Sequence, residues 1–282
     1  MTVAPTLSAR TSVFRTGPMI AWIALGWLAL LVLVALLADL LPLPDPTAPV
    51  GPPSLPPLSA DGPLFGTDSV GRSVSARLVH GARISLLVGV GATVIAAVLG
   101  TMLGLCAAYL RGRTERVVAL LTDTVMAFPP LLVLLALAVV TTPGVLTLVL
   151  ALGILFVPPF LRIVKAAALA EMGKEYIMSA RVLGAPHLRV ISRDLLPNCL
   201  PALASYSVIV LANVVVIEGS LSFLGVGIPP PAPSWGSMIA AGKDNLSDSP
   251  FLIALPCLAI FLTVFALNSL GDHVRNRLST GK

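Results

Sequence analysis

The chain has 282 residues, of which 56% are hydrophobic and only 11% charged, and its mean hydropathy of +0.96 means far more apolar surface than a soluble domain needs for its core, so lipid must take up the surplus. The formal charge of +5 does not point to nucleic acid, because Lys and Arg gather on the cytoplasmic loops of membrane proteins. Cys106, Cys199 and Cys257 are odd in number and far apart, which excludes a disulfide framework and a zinc site by spacing and leaves small buried hydrophobes.

The first apolar run, residues 18–41, follows Arg10 and Arg15. At roughly 1.5 Å of rise per residue it is long enough to cross a hydrocarbon core of about 30 Å, whereas a signal core has only about 7–15 residues. It reads as a retained first transmembrane helix behind a cytoplasmic tail at 1–17. Residues 42–63 are rich in Pro and predict an extended linker with little regular structure. From Gly66 to Arg83, Val74, Leu78, Val79 and Ala82 recur at helical spacing opposite Arg72, Arg77 and Arg83. That pattern predicts an amphipathic helix on the outer surface, with a solvated connector as the alternative.

Five further apolar runs follow, at residues 84–110, 117–141, 145–166, 201–224 and 251–270. Each must be helical despite its many Val and Ile, because lipid cannot satisfy free backbone groups. In the second run Ala96, Gly100 and Gly104 stand four residues apart, a stripe that admits a closely packed helix from this chain or another. Pro129–Pro130 and Pro158–Pro159 predict kinks. Asp123 and Glu218 are ionisable residues inside apolar runs, and burial in a membrane obliges each to find a partner or water. They lie towards opposite ends of their helices, so interhelical hydrogen bonding or contact with a neighbouring subunit is favoured over a proton relay.

Residues 166–200 form a patterned polar connector. Helical periodicity persists through Leu183, Gly184 permits a reversal, and Pro186 suits the first turn of a second helix with Leu188, Ile191 and Leu195 on one face. Pro197 is expected to end that helix. The unit reads equally as a knob offered to a partner or as a solvated interfacial hairpin. Six crossings put both termini on one side. On that side fall Arg10, Arg15, the bases of 111–116, those of 162–193, Arg275, Arg277 and Lys282; only Arg72, Arg77, Arg83 and Lys243 fall on the other. The positive-inside rule therefore makes both termini cytoplasmic.

No enzymatic constellation is visible. His80, His187 and His273 are isolated, no metal-ligand spacing occurs, and no Gly-x-x-x-x-Gly-Lys-Ser/Thr loop exists, since Gly173–Lys174, Gly242–Lys243 and Gly281–Lys282 are followed by Glu, Asp and the end of the sequence. If ATP drives this protein, another chain binds it.

Four motifs carry a family resemblance: Gly66-Thr-Asp-Ser-Val-Gly-Arg72 with Gly81-Ala-Arg-Ile-Ser-Leu86; Glu175-Tyr-Ile-Met-Ser-Ala-Arg-Val-Leu-Gly-Ala185 with Leu196-Pro-Asn198; Glu218-Gly-Ser-Leu-Ser-Phe-Leu-Gly-Val-Gly227 with Pro233-Ser-Trp-Gly236; and Pro256 through Leu270-Gly-Asp272. In order and spacing they resemble the inner-membrane permeases of binding-protein-dependent ABC importers, in the dipeptide/oligopeptide/nickel branch, from about residue 65 to 277. The first 60 residues match only as a generic helix and spacer. Met178-Ser-Ala180 stands where the family's Glu-Ala-Ala is usual, and Ser73 and Asp194 stand where peptide permeases often have Asp and His.

The resemblance implies an all-α type I importer permease fold in the bacterial inner membrane, with a five-helix core at 84–272 and a cytoplasmic tail at 273–282. It implies a second homologous permease as heterodimer partner, one or two cytoplasmic ATPases that hold ATP and Mg, and an extracytoplasmic solute-binding protein; this chain would bind no cofactor or metal. Carried over residue by residue, Glu175, Tyr176, Ala180, Arg181, Gly184 and Ala185 would be the coupling-loop residues that dock on an ATPase. Gly66, Asp68, Arg72 and Trp235 would lie towards the binding protein, although packing is an equal reading for Trp235. Di- or oligopeptides rank first as solute, with nickel chelates or another small solute as the alternative. Rivals from other classes are a gradient-driven secondary transporter and a non-transporting assembly subunit.

Overall fold

The computed structural model describes residues 18–60 and 62–280, with side chains for 19–60 and 62–276. The tail at 1–17 with Arg10 and Arg15, the Arg277 side chain and Lys282 lie outside the described residues. Among those described, the only β pairing is two isolated bridges, Pro49 to Arg72 and Thr67 to Ser73.

Eleven α-helices follow in chain order: α1 Pro18–Leu36, α2 Val74–Leu110, α3 Gly112–Ala127, α4 Pro130–Val140, α5 Val145–Leu155, α6 Val157–Met172, α7 Glu175–Val182, α8 His187–Arg189, α9 Leu196–Phe223, α10 Trp235–Gly242 and α11 Phe251–Thr280. Among the described residues, five stretches are long and apolar enough to span a membrane, and the bent pair α3–α4 makes a sixth if taken as one crossing.

The packing decides that count. Gly91 lies against Val149, Gly153 against Ile95, Gly100 against Phe160 and Gly104 against Val164. Numbers rise together along both partners, so α2 runs parallel to α5–α6. The chain must therefore recross between them, and α3–α4 is the only segment that can do so. The start of α1, the α2–α3 junction, the connector between α6 and α8 and the end of α11 thus share one face, called here the near face. Residues 37–73, 141–144 and 224–250 share the far face.

The small-residue stripe finds its partner within this chain. A Cβ on Gly104 would lie 2.9 Å from the Leu161 carbonyl oxygen, and one on Gly100 would lie 3.0 Å from that of Val157 and would collide with Phe160. Backbone-to-backbone approach replaces the missing hydrophobic drive between helices in lipid. Around this contact Val88, Ala92, Ala96, Leu152, Phe160, Val210 and Val214 form a buried core.

Four local expectations change. Residues 74–83 are not a separate surface helix but the first turns of α2, whose N-cap is Ser73, accepting from the Ala76 N–H at 3.3 Å. Arg77 does not face outward; it is 5% exposed and donates to the carbonyls of Pro46 and Pro231. The Pro158–Pro159 pair falls in the first turn of α6, where a missing N–H removes no bond, and α5 and α6 remain one span. Pro129–Pro130, by contrast, turns the chain by 84°.

The fourth change concerns Pro197. It does not end a helix: residues His187–Phe223 run on as one. A π-turn at Val190–Leu195 shifts the ladder by one residue just upstream, with the Leu196 N–H bonded to the Ile191 carbonyl. The proline therefore enters where the normal register has already been given up.

Candidate functional site

The near-face connector begins where Gly173 closes α6 and lets α7 leave at an angle. Glu171, on the last turn of α6, is 6% exposed. It accepts from Lys174 Nζ at 2.7 Å and from the Tyr176 hydroxyl at 2.8 Å. Asn198 on α9 donates to the same hydroxyl at 3.1 Å and to the Asp194 carbonyl at 2.7 Å. Tyr176 is thus a bolt between α6, α7 and α9. Burial and the adjoining Glu171 carboxylate push its phenol up to about 12, so it stays a hydrogen-bond donor at physiological pH. One residue on, Ile177 is wholly buried against Val164, Ala168, Val190, Leu195 and Cys199.

The far end of α7 is closed by Gly184 at φ +78°. The Gly184 N–H bonds the Arg181 carbonyl and the Ala185 N–H bonds the Ala180 carbonyl, both at 3.0 Å. This is a Schellman termination, in which the left-handed residue is one that glycine occupies without strain. A second clamp holds this end: the Arg181 guanidinium lies 4.5 Å from the centre of the Tyr109 ring, and the Tyr109 hydroxyl is 2.8 Å from His187 Nδ1.

With both ends fixed, α7 and its bend present Met178, Val182, Leu183 and Leu188 outward. Val182 and Leu183 are 87% and 86% exposed. The result is an exposed apolar tip on a rigid backing, a feature that marks interaction surfaces more often than finished ones.

The six residues expected in this connector therefore come together, with divided duties. Glu175 is exposed at the N-terminal turn of α7; Tyr176, Ala180, Arg181, Gly184 and Ala185 shape or brace the knob. Sequence reasoning placed Leu188 on an apolar face but did not single out Met178, Val182 and Leu183 as exposed or Tyr109 and Glu171 as braces, and His187, which it read as isolated, is paired with Tyr109. Their signal is faint, because Gly173 breaks the helical register between Glu171 and Tyr176, and Tyr109 is distant in sequence.

The two intramembrane carboxylates also find partners. Asp123 on α3 accepts from Arg162 Nη2 on α6 at 2.6 Å. Glu218, fully buried on α9, accepts from Ser85 at 3.0 Å and Ser222 at 2.8 Å, and the Ser85 hydroxyl also receives the Trp235 N–H at 3.4 Å. This network ties α2, α9 and α10 together near the far face.

On the far face, Gly66, Asp68, Arg72 and Trp235 turn inward instead of presenting themselves to a partner. Asp68 pairs with Arg72 at 2.8 Å and Arg77 at 3.5 Å. Trp235 is 1% exposed and donates from its indole to the Leu78 carbonyl at 3.1 Å. Gly66 is buried at φ +73° beneath Leu55. Among the apolar side chains that the Gly66–Arg72 motif and the loop before it expose are Leu58, Leu64 and Val70. Charged residues in that motif were spent on folding because the loop has no secondary structure of its own to hold it.

Among the described residues no three of His, Cys, Asp and Glu gather as a metal-ligand set. Comparison with known proteins agrees with the fold. The family model described as "Binding-protein-dependent transport system inner membrane component" matches residues 96–280. The di/tripeptide transport system permease protein DppC of Pseudomonas aeruginosa (strain UCBPP-PA14) is 36% identical over 215 residues, covering 76% of this chain and 71% of that protein. The glutathione transport system permease protein GsiD of Escherichia coli O6:K15:H31 (strain 536 / UPEC) is 37% identical over 214 residues, with the same coverage of each. In three dimensions the chain is similar to the inward-facing MetNI methionine ABC transporter, with a TM-score of 0.60 at 19% identity, over 72% of this chain and 96% of that one; it shares the fold. The chain belongs to the inner-membrane permeases of binding-protein-dependent ABC importers.

Proposed function

We propose that this permease forms the pathway of an ATP-driven importer of small peptides, glutathione-like tripeptides included, together with a second, homologous permease. The substrate class follows the relatives named for di/tripeptide and glutathione transport. The near face is the cytoplasmic one, in keeping with the distribution of Lys and Arg. The far face would meet a solute-binding protein through the exposed Leu58, Leu64 and Val70.

One observation supports the coupling role: an apolar tip on α7 that is braced at both ends and covered by none of the described residues. ATP and Mg would be held by one or two ATPases docked on that tip, and this chain would bind neither. Closure of the ATPases would move α7. The Tyr176 bolt would pass that motion to α6 and α9, and α6 would pass it to α2 through the Gly100–Gly104 contact. Alternating access would result, with this chain supplying geometry instead of catalysis.

The paired substitution Val182→Asp with Leu183→Asp tests the docking tip, because both side chains are solvent-facing and their change leaves the core intact. The permease should accumulate in the membrane at normal levels, while co-purification of the ATPases and ATP-dependent uptake fall at least about tenfold, as loss of a buried apolar hot spot does. Normal co-purification and uptake would reject α7 as the docking element.

A further inference from the structure

Between α2, α3 and the α5–α6 span lies a groove of about 370 Å³ that the coupling role leaves unused. Met102 and Leu103 line it from α2, Val118 and Leu121 from α3, and Ile154 and Leu161 from α5 and α6. The one polar side chain in its lining, Thr122, already donates its hydroxyl to the Val118 carbonyl at 2.7 Å. The groove therefore offers no free hydrogen-bonding group to a polar solute and suits an aliphatic chain. Thr122 is also the only buried residue of α3, so among the described residues nothing fills the slot.

The near end of the groove is charged. Helical spacing carries the face of Val118 and Leu121 back through Glu115 to Arg111, and one turn beyond Leu161 on α6 stands Lys165. Arg111 directly follows the apolar span that ends at Leu110, the place where basic side chains lay their stems along the bundle and raise their charges to the headgroups. It stands at φ +48° beside Gly112 at φ +62°, the two left-handed residues that turn α2 into α3. Lys165 is engaged by Glu115, Nζ to Oε1 at 2.8 Å. Arg111, Arg113 and Arg116 form no salt bridge among the described residues. Arg113 and Arg116 lie round the other side of α3 and add to the field, while Arg111 stands at the mouth. The Arg162–Asp123 bridge further along is neutral as a pair and leaves this positive excess unchanged.

We infer that this groove is a binding site for an anionic phospholipid, with one acyl chain lying between α2 and α3 and the phosphate at the mouth beside Arg111. The two halves of the site match the two halves of that molecule: an apolar slot, continuous with a cationic end at the border of the bundle. Basic pockets between transmembrane helices hold anionic headgroups by this combination. A zwitterionic lipid fills the slot equally well but leaves the guanidinium charges without a net counter-charge. A lipid so placed wedges α3 in position, which Glu115–Lys165 and Asp123–Arg162 otherwise hold from the α6 side alone. The assignment needs only the membrane residence of the family and is independent of the solute.

The test uses the complete transporter, both permeases with ATPases and binding protein, in phosphatidylcholine vesicles doped with a trace of phospholipid that carries a diazirine partway along one acyl chain. The probe is made with a phosphatidylglycerol head and, in parallel, with a phosphatidylcholine head. After photolysis, labelled residues are mapped by peptide mass spectrometry. The anionic probe should label Met102, Leu103, Val118 or Leu121 at least about tenfold more than the zwitterionic one, since each cation beside an anionic lipid contributes about fivefold. The exposed Phe261 of α11, which meets ordinary lipid, should show no such preference. Arg111→Gly removes the guanidinium at a backbone angle that glycine adopts without strain, so the fold is kept; it should lower the preference about fivefold, and Arg111→Lys should retain it. Equal labelling of the groove by both probes in the wild type would reduce it to ordinary lipid-facing surface and overturn the site, as would a preference unchanged in Arg111→Gly. Labelling of Phe261 without any labelling of the groove would mean that another subunit covers it, and would overturn the site as well.

Discussion

Gly184 shows how much of the connector hangs on one backbone angle. A Cβ there would meet nothing within 4 Å, yet the residue stands at φ +78°. The penalty for substitution is therefore conformational and not steric. Gly184→Val should cost about 1–2 kcal/mol in the termination of α7, and Gly184→Asn distinctly less, because Asn tolerates the left-handed region. Protection of the Gly184 and Ala185 amides in hydrogen exchange would report it; equal protection in the Val variant would refute the Schellman account. At the opposite end of α7, Tyr176 offers a pH signature. Its phenol is pushed from the usual 10.0 up to about 12, so the folded protein holds a proton that the unfolded chain gives up between those values. The stability it adds is complete below about pH 10 and disappears as the pH rises through about 12. Thermal unfolding should accordingly weaken more steeply between pH 10 and 12 in wild type than in Tyr176→Phe, with no difference in slope from pH 6 to 8. Parallel slopes throughout would mean that the bolt is absent.

Elements were legible in the sequence wherever a local rule decided them. Gly184 and Pro186 announced the bend of the connector, and Ala96, Gly100 and Gly104 announced a close helix contact, since both depend on residues near in sequence. What covers a face was not legible. The pattern around Arg77 placed it outward because helical periodicity cannot foresee a carbonyl 154 residues away at Pro231. For Trp235 the sequence left packing and partner contact equal, and it packs under α2. Pro197 looked like a stop, and the π-turn before it is a register change that local propensity does not register. The α2–α6 contact gives the sharpest expectation at this scale. Gly104→Leu should drive α6 away from α2 and abolish assembly, whereas Gly173→Leu, whose added Cβ approaches nothing nearer than the Ala170 carbonyl oxygen at 3.8 Å, should assemble normally. Complex yield on size-exclusion chromatography distinguishes the two, and equal yields would refute the backbone contact.

For the whole molecule, the parallel course of α2 and α5–α6 requires a sixth crossing through α3–α4. That parity keeps the connector on the same face as the start of α1 and the end of α11. Family and fold were readable because four motifs stood in order and six apolar runs were long enough. The partner surfaces were not, because exposure of Val182 and Leu183 is a property of the assembled bundle. The central claim, that ATP hydrolysed by other subunits moves solute through this chain by way of α7, meets its most direct test in sealed vesicles. Labelled tripeptide uptake should be measured with this chain alone under an imposed proton or sodium gradient, and with the full set of partners and ATP. Uptake only in the second case, lost when ATP is replaced by a non-hydrolysable analogue, is the expected result; gradient-driven uptake by this chain alone would contradict it.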